Sequence, residues 1–154
     1  NPLAELPVAT DAKYLSGQVV LVGYGRVGRR IGEALAEHGI PYVVAEQNRE
    51  LVERLRKDGI AAVSGDASDP AVLIQAHIVN AGLLVVAIPD TFDVRRMIET
   101  ARKLNPGIEA IIRGHNEQEA TLLEQEGAAK VFLGPNELAR SMSRHALERF
   151  GKTP

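Results

Sequence analysis

The chain of 154 residues contains no cysteine. That excludes disulfides, thiolate metal sites and cysteine nucleophiles, and it suits a reducing cytosol. No apolar run approaches the length of a membrane span, and no signal peptide is visible. There is no basic block. Formal net charge is −2, so the electrostatic footprint of nucleic-acid binding is missing. The four histidines, His38, His77, His115 and His145, have no zinc-like spacing, and no G-x-S-x-G elbow is present. There is no internal repeat or low-complexity tract. An opening methionine is also lacking: the chain starts Asn1-Pro2-Leu3, which reads as a piece cut from something longer. Asn1 to Gly17, with Pro2 and Pro7 and no clear period, reads as a linker into the domain, partly ordered at most. The domain itself is expected over residues 18–150, followed by a short tail, 151–154.

What is present is an ordinary globular balance, 45% hydrophobic and 25% charged, enough for one domain with a real core. Its organising stretch is Gln18 to Ala36. Val19-Val20-Leu21-Val22 is a short β-branched run of the kind that forms a buried parallel strand. Gly23-Tyr24-Gly25-Arg26-Val27-Gly28 follows directly, and an amphipathic segment with Val27, Ile31 and Leu35 on one face comes next. Strand, G-x-G-x-x-G and helix in that order is the context of a dinucleotide-binding turn. Gly23 makes the turn, Gly25 admits a phosphate to the backbone, and Gly28 lets helix and sheet pack closely. The free N–H groups and positive end of the helix then face the phosphate. A second apolar run, Tyr42-Val43-Val44-Ala45, ends in Glu46, 23 positions beyond Gly23. An acid roughly 20 residues on accepts from ribose hydroxyls.

Further strands are expected at Ile60–Val63, Leu83–Ile88, Glu109–Arg113 and Val131–Leu133, alternating with helices. Gly39 and Pro41 close the first helix. Asn48 caps the second, and Ser68 or Asp69 caps the third, which has Pro70 at its first position. Val72, Leu73, Ala76 and Val79 face inward there, with His77 inside the helix. Asp90 or Thr91 caps the fourth, whose Val94, Met97, Ile98, Ala101 and Leu104 face inward. His115 can cap the turn into the fifth. Alternation of this kind gives an α/β fold, a Rossmann-like doubly wound parallel sheet of six strands in the order 3-2-1-4-5-6. A last helix, residues 137–150, is capped by Asn136 and carries the stripe Leu138, Met142, Ala146, Leu147 and Phe150. The stripe either packs within the chain or crosses onto a partner.

Ligands in such sheets bind beyond the C-terminal strand ends near the first strand. Arg26 can reach a phosphate or be a solvated charge. Glu46 is a ribose acceptor or a surface acid, and its charge disfavours a 2′-phosphate, hence NADP. Gln47 helps hold the adenosine or is simply exposed. After the third strand come Gly65, Asp66 and Ala67. Asp66 accepts from the adenine amino group or forms a turn. Ile88 and Pro89 make an apolar wall. Arg113 points toward phosphates or a second anion, or forms a salt bridge. His115 is the one acid/base candidate on this side, and no catalytic or metal set is assigned.

Assembled, these residues resemble the N-terminal regulator-of-potassium-conductance domain, also called TrkA-N. The carriers are Val20 to Gly28, Val44-Ala45-Glu46, Gly65-Asp66-Ala67 and Ala110 to His115, with closest similarity to the cytosolic domain of Kef-type potassium/proton antiporters. The resemblance implies that an adenine nucleotide (AMP, ADP, ATP or NAD(H)) binds in the cleft and biases an attached transmembrane transporter domain. It also implies a homodimer through the helix 137–150, a place at the cytoplasmic face of the inner membrane, and in some Kef-type domains sensing of glutathione conjugates, for which Arg113 is the matching position. The alternatives are a truncated NAD-dependent oxidoreductase and an assembly domain with a degenerate pocket. A dehydrogenase needs a substrate pocket and a proton donor beside the nicotinamide, whereas here the nucleotide fold consumes the chain. A sensor that is not an enzyme is the reading favoured. In it, nucleotide binding shifts a two-state dimer and acts through the linker.

Overall fold

The computed structural model describes residues 2–88, 93–127, 130–133 and 138–153. Its β-branched runs form β1 (Val19–Val22), β2 (Tyr42–Glu46), β3 (Ala62–Ser64), β4 (Leu83–Val86), β5 (Ala110–Arg113) and β6 (Lys130–Phe132). They make one parallel sheet in the order β3-β2-β1-β4-β5-β6. Between and after them lie α1 (Arg26–Glu37), α2 (Arg49–Lys57), α3 (Pro70–Gln75), α4 (Val94–Leu104), α5 (Glu117–Gln125) and α6 (Leu138–Arg149). This is the expected Rossmann-like α/β architecture.

The strands alternate between two cores because successive side chains point to opposite faces. Val19, Leu21, Val44, Val85 and Ile111 pack with Ile31 and Leu35 of α1 and Val52 and Leu55 of α2. Val20, Val22, Val43, Leu84 and Ile112 face Leu73, Met97, Ile98, Ala101 and Leu123. Both faces of the central strands are thus dry, which is why they are continuously apolar. Local chemistry fixes the helix starts. The side chains of Asn48, Asp69 and Asn116 accept from the backbone N–H of Leu51, Ala71 and Glu119. Asp69 and not Ser68 caps α3, and Asn116 takes the role expected of His115. The Asp90, Thr91 and Asn136 caps and the start at Glu137 lie outside the described residues.

Three expectations need correction. α3 ends at Gln75, and His77 sits in a left-handed turn at φ 61°. Val79, beyond that turn, is exposed. The stripe of α6 is not left open for a partner. Met142, Ala146 and Leu147 are buried in the core shared with α1 of the same chain, so of the two arrangements expected of the stripe these three residues take the one within the chain. The side chain of Leu138 lies outside the described ones.

The third correction concerns the start of the chain, which is not a loose tether. Short 3-10 turns form at Pro2–Ala4 and Ala12–Tyr14. Leu3 is buried on the α1/α2 side of the sheet, while Leu6 and Tyr14 lie against the opposite core. The segment therefore wraps the β3 edge. Arg56 fastens it, donating from Nη1 to Pro2 O (3.2 Å) and from Nη2 to Leu3 O (3.2 Å) and Glu5 O (2.5 Å), while Nε donates to Ala62 O (2.8 Å).

Candidate functional site

The site grows out of the end of β1. Gly23 has φ +92°, open to glycine but strained for other residues, and its N–H donates to Ala45 O at 2.9 Å. The chain then turns into α1, with Gly25 as a cap that has no side chain to offer. A Cβ on Gly28 would lie 2.0 Å from Gly23 O, so α1 touches the turn backbone to backbone. Gly25 is different. Its φ of −77° suits any residue, and a Cβ there would meet nothing within 4 Å. Among the described residues, the N–H groups of Gly25, Arg26, Val27 and Gly28 have no acceptor. Four donors and the positive end of a 12-residue helix converge on this spot.

Glu46 completes the turn from β2. Its Oε1 accepts from Tyr24 N at 3.0 Å and its Oε2 from Asn48 N at 2.6 Å. The carboxylate joins the glycine turn to the α2 entrance and retains lone pairs for further donors. β3 contributes Gly65, whose N–H donates to Glu46 O at 3.0 Å and whose Cβ, were there one, would collide with Val72 at 2.5 Å. Together Gly23, Glu46, Gln47, Gly65, Ala67 and Ile88 line a crevice of about 110 Å3. Val22, Ala45 and Met97 close its floor. Met97 was legible only as an inward residue of α4. The signal for its place here is that α4 follows the strand beside β1.

Several expected residues lie elsewhere. Tyr24 gives only its backbone, since its ring is buried in the α1/α2 core. Arg26 is exposed at the start of α1 and Val27 is half-buried against that same core. Asp66 takes the turn role: its Oδ1 accepts from Ser68 N (2.9 Å) and Ser68 Oγ (2.8 Å). Arg113 is half-buried at the end of β5, beyond β4 from the glycine turn, and pairs with no acid among the described residues. Pro89 lies outside the described residues. A larger groove of about 740 Å3 runs between α1 and α2 and meets the turn only at its Tyr24-Gly25-Arg26 end. Size does not make it the nucleotide site: it shares Gly25 and Arg26, two of the free helix-end donors, at its end, whereas Glu46 and Gly65 line the crevice on the other side of the turn.

Tyr24 and Tyr42 pack against Gly32 under that groove, where a Cβ would meet their rings at 3.0 and 3.1 Å. Burial raises the Tyr24 hydroxyl above its ordinary value, partly offset by its hydrogen bond with Tyr42, and burial likewise raises Tyr42. Unfolded tyrosines lose their protons at about 10, the folded pair later. The pair's contribution is therefore intact below about pH 10 and lost as pH climbs above it. Tyr42→Phe is expected to blunt the fall in melting temperature as pH rises above about 10. Identical falls in the two proteins would contradict this.

The sequence profile of the TrkA-N domain matches residues 19–134. Over 128 residues the chain is 38% identical to the putative cation/proton antiporter YbaL of Escherichia coli K12, covering 83% of this chain and 23% of YbaL. It is 30% identical over 137 residues to the glutathione-regulated potassium-efflux system protein KefC of Escherichia coli O157:H7, covering 89% of this chain and 22% of KefC. The chain thus spans about a quarter of the length of these relatives. Among solved structures, the TrkA-N domain of the inner membrane protein YbaL from Escherichia coli superposes with a TM-score of 0.76 at 38% identity, over 82% of this chain and 94% of that one. The Shewanella denitrificans Kef CTD in its AMP-bound form gives 0.69 at 23% identity, over 88% and 82%. The GsuK channel bound to NAD gives 0.70 at 23%, over 85% and 23%. Among the described residues no helix is long and apolar enough to cross a membrane. With its profile match, its 38% identical relative and its six-stranded doubly wound sheet in agreement, the chain belongs to the TrkA-N domain family.

Proposed function

We propose that this domain binds an adenine nucleotide in the β1–α1 crevice and thereby controls a cation/proton antiporter of which it is the cytosolic part. The observation that carries the reading is Gly25: the fold gives no reason for glycine there, while a phosphate held by four free N–H groups does. The crevice is smaller than the roughly 300–1,000 Å3 of typical ligand pockets, so it takes the ribose and adenine side while the phosphate rests over the open end of α1. Glu46 then accepts from the ribose, Gln47 and Ile88 flank the nucleoside, and Gly65 and Ala67 border the base. Structural neighbours hold AMP, NAD and ADP; AMP and NAD(H) are the two ligands favoured here. Pro89 and Arg113 are assigned roles by family resemblance alone.

The partner on this reading is a transmembrane transporter domain, the larger remainder of relatives such as YbaL and KefC, with the domain held at the cytoplasmic face of the inner membrane. Pairing of two copies through the helix 137–150 belongs to the proposal as well. With Met142, Ala146 and Leu147 buried within the protomer, such pairing would use the outward side of the helix or exchange the helix between copies. An oxidoreductase is disfavoured because, among the described residues, the crevice brings no acid/base side chain besides Glu46, which two backbone amides already hold.

The test is direct. Protein as purified is denatured and any released nucleotide identified by mass spectrometry; then AMP, ATP, NAD and NADH are titrated by calorimetry. Micromolar binding by AMP or NAD is expected, and absence of binding by all four sinks the proposal. Glu46→Gln should weaken the winning ligand about tenfold, the scale of one charge-assisted hydrogen bond. It should also lower stability by about 1–2 kcal/mol through the Tyr24 and Asn48 amides. Unchanged affinity would remove Glu46 from the ribose.

A further inference from the structure

The wrapped N-terminal segment does something the glycine turn does not require. Arg56 donates to four backbone carbonyls, Pro2, Leu3, Glu5 and Ala62, and to no carboxylate among the described residues. Its planar fork is used for geometry, a task a lysine ammonium cannot copy. Ala62 opens β3, a strand of three residues at the sheet edge that pairs with β2 alone. The same strand ends at Ser64, and Gly65 and Ala67 just beyond it line the crevice. One short strand thus carries the strap at its first residue and the crevice wall past its last.

We propose that strap and nucleotide are coupled through β3, with Arg56 as the fastening, so that nucleotide binding tightens the strap and the seated strap tightens nucleotide binding. This rests on the nucleotide reading above. The sign follows from what each contact does. A three-residue edge strand held from one side is a marginal element. Arg56 takes up the edge-facing Ala62 carbonyl with Nε while the rest of the same guanidinium holds the strap. A seated strap thus fixes Arg56 over the start of β3, and a ligand against Gly65 and Ala67 orders its end. Two partners that stabilise the same ordered state favour each other, and the coupling is reciprocal. The strap is also where the chain continues toward its start, so this contact makes nucleotide occupancy legible at the domain's entrance.

The experiment uses the chain of residues 1–154 and AMP and NAD as probes. Hydrogen exchange of the Thr10, Tyr14 and Leu15 amides, each bonded within the strap, is followed with and without saturating nucleotide, and affinities are compared for wild type, Arg56→Lys and Arg54→Lys. Expected are slower strap exchange on binding, an affinity loss of about fivefold or more in Arg56→Lys, and none in Arg54→Lys, whose side chain is exposed on the same helix. Should Arg56→Lys fail to fold, exchange in the wild type decides alone. Equal affinities of wild type and Arg56→Lys, or strap exchange indifferent to nucleotide, overturn the coupling and leave the nucleotide reading standing. Failure of both nucleotides to bind wild type overturns the two together.

Discussion

Gly25→Ala is expected to leave the domain folded, with a melting temperature within about 3 °C of wild type, and to weaken AMP and NAD binding at least about tenfold. The two halves of that result have separate causes. An added Cβ at position 25 meets no protein atom within 4 Å and the backbone there is unstrained, so only the modest preference for glycine over alanine at a helix cap is lost. A phosphate drawn against the N–H groups of residues 25–28 would occupy the very space that the methyl fills. Gly28→Ala reverses the pattern. Its Cβ would sit 2.0 Å from Gly23 O and 2.8 Å from Gly23 C, backbone atoms that cannot swing aside. Helix α1 must then lift from the turn at a cost above about 3 kcal/mol, or roughly 6–12 °C in melting temperature. Thermal melts and calorimetry on the two variants separate a glycine kept for a ligand from one kept for packing. A Gly25→Ala protein that binds AMP and NAD as wild type does would remove the phosphate from this turn.

The contrast between those glycines also shows where sequence was sufficient. Motif and period placed β1, the turn and α1, because buried parallel strands are uniformly apolar and a glycine turn is conspicuous. The strand order follows from right-handed crossovers once the alternation is read. Glu46 was found at the strand end, but its grip on the Tyr24 and Asn48 amides was not, since a carboxylate's partners depend on where two turns meet in space. The pattern G-x-G-x-x-G suggests that all six positions face a ligand; in the fold Tyr24 sends its ring into the opposite core. Asp66 illustrates a residue type with two uses, and the nearby Ser68 hydroxyl selects the turn. Arg56 gave no signal at all. It looks like any helix-surface arginine, and the carbonyls it holds come from 51 to 54 residues earlier and 6 later. A segment with two prolines and no period likewise hid two apolar anchors, Leu3 and Leu6, set too close together for any periodicity to register.

The terminal helix provides the other large effect. Leu147→Asp is expected to unfold or severely destabilise the protomer, by about 4 kcal/mol or more, corresponding to some 8–16 °C in melting temperature. Leu147 is 3% exposed, and Met142 and Ala146 beside it are fully buried. All three belong to the core that includes Ile31 and Leu35 of α1. A carboxylate there loses most of its water, although Arg30 and Arg144 border the groove beside it, and the methyl groups it replaces leave a void. Met142→Ala, which adds no charge, should cost about 2–5 kcal/mol by cavity formation alone. If the apolar stripe instead served a partner, the same substitution would act on mass and not on folding: light scattering would show monomers whose melting temperature at low concentration matched that of wild-type monomer. The two outcomes are distinguished by following melting temperature against protein concentration, because a stripe spent inside the protomer gives a loss independent of concentration, whereas an interface gives one that grows with dilution. The close fit of α6 against α1, with small Ala139 and Ala146 buried alongside Met142 and Leu147, favours the first. On that account α6 is a structural part of each nucleotide-binding unit, and it packs against α1, whose free N–H groups lie at the glycine turn.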